Sequence, residues 1–94
     1  MPALKEKQHP DLTNVNGTFA SVVEANSRTL SGLINDDDVD ANEVREFVFE
    51  MMENCKQTPW IRNAKTKMER MYSKDELAFY IYNSVLSGAN LKAS

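Results

Sequence analysis

Cysteine is almost missing from this chain of 94 residues, with Cys55 standing alone. One thiol cannot close an internal disulfide, so packing must hold the fold, and a reducing, cytoplasmic setting is expected. The three glycines, Gly17, Gly32 and Gly88, stand far apart, which excludes a glycine-rich phosphate loop. A nucleophile needs a base, and the single histidine, His9, stands in the N-terminal stretch; His9 with Cys55 also makes too few ligands for a protein zinc site. No uninterrupted apolar run is long enough to cross a bilayer, and the first residues lack the apolar core of a signal peptide. The formal charge of −3, from 11 bases and 14 acids, has neither the excess of a nucleic-acid coat nor that of an acidic mimic. These absences argue against an enzyme and against a metal or organic cofactor. They also set the length to one domain, with a core of modest size.

What the chain does have is a well-marked apolar segment, residues 73–88, SKDELAFYIYNSVLSG. Ser73 and Glu76 are spaced as a capping box, Tyr72 and Leu77 as a hydrophobic staple, and Gly88 suits the left-handed position past a helix end. Leu77, Ala78, Phe79, Tyr80, Ile81, Tyr82, Val85 and Leu86 cover well over half of the circumference at helical spacing. A helix of that kind is expected to be buried on more than one side, by its own chain or by a partner. Phe79, Tyr80 and Tyr82, together with Trp60, are therefore the candidate interface residues.

Ahead of it, three more helices are predicted. Residues 1–17 show no sustained period and read as an irregular N-terminal arm, with Leu4, Leu12 and Val15 as possible anchors. Residues 18–94 read as the helical domain. Thr18 is placed to cap a first helix over 18–34, where Phe19, Val22, Val23, Leu30, Leu33 and Ile34 recur at helical intervals and Asn26 interrupts the stripe. Asp40 with Glu43 opens a second helix over 40–56, whose apolar face is Val44, Phe47, Val48, Met51, Met52 and Cys55. Phe49 falls off that face. Thr58 and Pro59 open a third over 58–72, with Trp60, Ile61, Ala64, Met68 and Met71 inward. The short connections favour neighbouring helices that pack against each other. The fold class is thus all-α, a small bundle of about four helices with an irregular arm.

Charge is segregated. Residues 35–54 hold eight acids and one base, whereas 55–76 hold six bases and three acids. The acidic run at Asp36, Asp37, Asp38 and Asp40 fails as a calcium loop, because Ala41 falls at the turn glycine and Phe47 at the closing glutamate. A hydrated helix start accounts for it. On the basic side, Lys67, Arg70 and Lys74 share one stripe, with Arg62 on the other flank. Together they are the nucleic-acid candidates, as phosphate contacts of a basic helix. Against that reading stand the acidic whole, the long preceding helix and a connection without glycine. The competing explanation is the solvated face of an amphipathic helix. The reading favoured overall is a non-enzymatic protein–protein interaction or assembly protein, a homo-oligomer or a subunit of a larger complex. A small nucleic-acid-binding regulator is the alternative.

Overall fold

A computed structural model describes residues 8–12, 19–55 and 58–85. Among them there are four α-helices and no strand: α1 (Phe19–Asn35), α2 (Ala41–Glu53), α3 (Pro59–Met68) and α4 (Lys74–Tyr80), the last continued by a π-helical turn, Ile81–Val85. The protein is a small all-α bundle, as its periodicity predicts.

Helix α2 occupies the centre. It packs against α1, α3 and α4. Its side chains Val44, Phe47, Val48, Met51 and Met52 are at most 1% exposed, so they have left water entirely. The predicted stripe is the buried one, and both methionines on it fill the core, as does Met68 of α3. The start is well fixed. The Asp40 carboxylate accepts from the Glu43 amide at 3.0 Å, while Val39 and Val44 are both buried around the cap. At the far end the last turn tightens, with the Asn54 and Cys55 amides donating to the Met51 and Met52 carbonyls. The helix therefore stops at Glu53 rather than near residue 56.

Helix α1 has poor intrinsic propensity, since two adjacent valines, serines, Thr29 and Gly32 lie within it. Tertiary burial compensates: Phe19, Val22, Val23, Leu30 and Leu33 are all inside. The Thr18 cap lies outside the described residues, as do Leu4, Val15, Lys56, Leu86 and Gly88.

Helix α3 begins as predicted, with Thr58 Oγ1 accepting from the Ile61 amide and Pro59 in the first turn. Ile61, Ala64 and Met68 face the core. It ends earlier than the expected residue 72. Past Met68 the amides of Arg70 and Met71 turn back to carbonyls three residues behind. Beyond this end the Met71 carbonyl accepts from Arg45 Nη1 at 2.8 Å.

Helix α4 corrects the largest expectation. The segment predicted to be enclosed on several sides lies at the margin. It buries a single line, Leu77, Ile81 and Val85. Residues four apart drift forward around an α-helix and backward around the wider π turn, so Val85 returns to the side of Leu77. The Ser73 cap is present, with Oγ accepting from the Glu76 amide at 3.4 Å. The expected staple is absent: Tyr72 is 81% exposed and does not cover Leu77.

Candidate functional site

The outward side of α4 is built by its own register. Leu77 and Ile81 are buried in the core, so Phe79, two residues from each, is carried to the opposite side. Phe79 is 70% exposed and Tyr82, three residues on, is 44% exposed. Residues three apart on a helix are neighbours, so these two rings share a face. Asp75 and Glu76 are exposed in the first turn of the same helix. Tyr80 lies between the two sides. It is half-buried against the core, and that burial raises its phenol above the ordinary value. Asn83 donates from Nδ2 to the Phe79 carbonyl at 2.9 Å, turning its polar group back onto the helix. The predicted candidates Phe79 and Tyr82 therefore lie on one face in solvent.

Trp60 is placed elsewhere. It is half-buried, with its ring edge-on to Phe19 at 6.0 Å between centroids and 67° between planes. That geometry suits aromatic quadrupoles and ties the start of α3 to the start of α1.

The basic candidates divide. Arg62 and Lys67 are exposed on α3, and Arg70 is exposed in the turn that follows. Lys74 is not a surface cation of the same kind. It is half-buried, and its Nζ donates to the carbonyl of Asp36 at 2.5 Å and of Val39 at 2.8 Å. An ammonium has three donors and no acceptor, so two backbone carbonyls of the α1–α2 connection suit it. This connection also folds on itself, with Asp36 Oδ1 accepting from the Asp38 amide at 2.9 Å. Lys74 thus brings positive charge into the acidic stretch that resembled a calcium loop. Arg45 answers it from the other direction, bonding Met71 of the α3–α4 turn and the side chain of Asn42. Each of the two connections is held by a cation from a helix beyond it. Among the described residues no group of three or more metal-ligating side chains converges. Cys55 is half-buried and donates to the Met51 carbonyl at 3.3 Å. Burial pushes its thiol up, away from the reactive thiolate.

Two further placements were only partly legible in sequence. Phe49, outside the α2 stripe, packs at the edge of the core beneath Lys65, whose Nζ lies 5.4 Å from the ring centroid. Asn26 is the more informative case. It is 3% exposed and holds residues 8–12 of the arm. Its Oδ1 accepts from the Asp11 amide at 2.6 Å, and its Nδ2 donates to the Asp11 carbonyl at 2.9 Å and to Val22 at 2.8 Å. Around this pair Pro10 is buried, Leu12 packs on the core and His9 Nδ1 lies 2.8 Å from a Glu50 oxygen. A lone amide in an apolar stripe was the available signal, because burial of such a group demands a partner.

No protein-family model, no curated protein and no solved structure matches this chain.

Proposed function

We propose that this chain is a non-enzymatic assembly protein that associates with further copies of itself through the outward face of α4. The observation that carries the reading is the exposure of Phe79, at 70%, on a helix whose inward line is already satisfied. A phenylalanine there contributes little to the intramolecular core, and Tyr72 and Tyr82 are two further exposed rings before and after it along the chain. Aromatic side chains of this kind dominate binding energy when a partner removes them from water. The surrounding charge supports a second copy as that partner. Exposed acids, Asp75 and Glu76, lie close in sequence to exposed bases, Lys67 and Arg70. In a two-fold arrangement the same patch meets itself, so acids of one copy can face bases of the other. The nucleic-acid reading draws less support, because Lys74 is engaged with backbone carbonyls and Arg62 lies on the far flank from Arg70.

Sizing with light scattering over a concentration series tests this. The expected result is a mass that rises above the 10.7 kDa of one chain, and a Phe79→Ser/Tyr82→Ser variant that stays at that mass with its helicity intact. A native chain that remains monomeric to millimolar concentration overturns the proposal.

A further inference from the structure

Residues 8–12 are held the way a protein holds a bound peptide. Asn26 reads main chain only, pairing with both the amide and the carbonyl of Asp11. Side-chain selection comes from the burial of Pro10, the seat of Leu12 and the contact of His9 with both Glu50 oxygens at 2.8 and 3.0 Å. The receiving groups, Asn26 and Glu50, come from α1 and α2. This combination, backbone pairing with contacts to particular side chains, is how extended segments are recognised in trans.

We propose that this surface on α1 and α2 is an acceptor site for a His-Pro-Asp-Leu segment, and that it takes the segment from the arm of a second copy as well as from its own chain. The proposal is independent of the α4 face. A second copy is the occupant because it carries the one sequence the site is seen to fit. Exchange of identical contacts between copies leaves the contact energy unchanged, so only the tether decides between the two arrangements.

The tether can be measured against the site. From Asp11 to Phe19 the chain can reach about 27 Å when extended. Asn26 lies seven residues along α1 from Phe19, roughly 10.5 Å of axial rise. Docking within one chain is therefore easy. Deleting residues 13–17, with Thr18 kept before the helix, shortens the reach to about 10 Å. That no longer covers the axial rise together with the sideways stand-off of a strand lying on a helix. In such a chain only the arm of another molecule can reach Asn26.

The experiment is done in the Phe79→Ser/Tyr82→Ser background, so that loss of the α4 face and loss of arm exchange are told apart. The shortened chain is expected to run as a dimer in sizing with light scattering. Adding Asn26→Leu should return it to a monomer with the same circular dichroism. A shortened chain that is folded, monomeric and readily clipped by protease within residues 1–12 overturns the proposal. Should the deletion prevent folding, the undeleted chain is refolded at high concentration and then diluted. A slowly dissociating dimeric fraction, missing when Asn26 is leucine, is expected there, and its absence overturns the proposal equally.

Discussion

Helices α2 and α4 carry similar proportions of large apolar side chains, yet one is the centre of the molecule and the other its edge. The difference is one of angle rather than of amount. In α2 the apolar residues Val44, Phe47, Val48, Met51 and Met52 fall on a broad continuous arc that three neighbouring helices share. In α4 they are split, with Leu77, Ile81 and Val85 in one line and Phe79 and Tyr82 away from it. An arc wide enough for three neighbours makes a hub. A narrow line makes contact with one neighbour, and the apolar side chains away from that line, Phe79 and Tyr82, stay exposed.

The sharpest way to break this comparison is to remove a phenyl ring from each helix. Phe47 is fully buried. Phe47→Ala should cost about 3–5 kcal/mol, through lost transfer energy and a cavity that α1, α3 and α4 close only in part. In a domain this small that is a fall of roughly 12 °C or more in Tm, or failure to fold. A mild effect would mean that α2 is not the hub.

Next in size are the cations that join the two helix starts. Lys74→Met keeps most of the side-chain stem and removes the ammonium from the Asp36 and Val39 carbonyls. Hydrogen bonds to a charged donor are worth about 1.5–3 kcal/mol together with their desolvation cost, so a drop of that order is expected in denaturant unfolding. Lys67→Ala with Arg70→Ala, whose side chains are exposed, should leave the unfolding midpoint unchanged. Equal effects from the two changes would show that Lys74 is an ordinary surface lysine.

How much of this could be read beforehand follows the same division. Where a residue's fate depends on its own helix, the reading from sequence holds. The caps at Asp40, Thr58 and Ser73 lie as predicted, and so do most inward positions of α1, α2 and α3, while Ile34, Cys55, Trp60 and Met71 are only half-buried at the core's edge. Where it depends on another element, the reading fails. Lys74 and Arg45 each hold a connection 26 or more residues away, and no local period announces that. Asn26 looked like a flaw in a stripe because its partner, the backbone of Asp11, carries no side-chain signature. The exposed side of α4 was legible as surplus apolar surface, but which residues stay inside was not. That choice is made by the position of α2 and by the π turn after Tyr80.

A smaller effect distinguishes the helix starts. Asp40 meets the Glu43 amide at 3.0 Å, whereas Ser73 meets the Glu76 amide at 3.4 Å. Both are N-caps, and replacement by alanine costs about 0.5–2 kcal/mol. Asp40→Ala should fall in the upper half of that range, since its bond is shorter and its charge also complements the helix dipole. Ser73→Ala should fall in the lower half. Thermal melts of the two variants at low ionic strength check the order, and a reversed order would make α4 the more firmly nucleated helix.

The smallest effect on stability belongs to the other ring. Phe79→Ser removes as large an apolar side chain as Phe47→Ala does, but from a position 70% exposed. Measured at low micromolar concentration, its Tm should match that of the native chain, because the ring has little protein to leave. The two chains should then diverge as concentration rises. Any association through α4 stabilises the native chain by mass action and gives nothing to the variant. A Tm difference that grows with protein concentration therefore locates the interface on Phe79, and one already present at the lowest concentration assigns that ring to the fold.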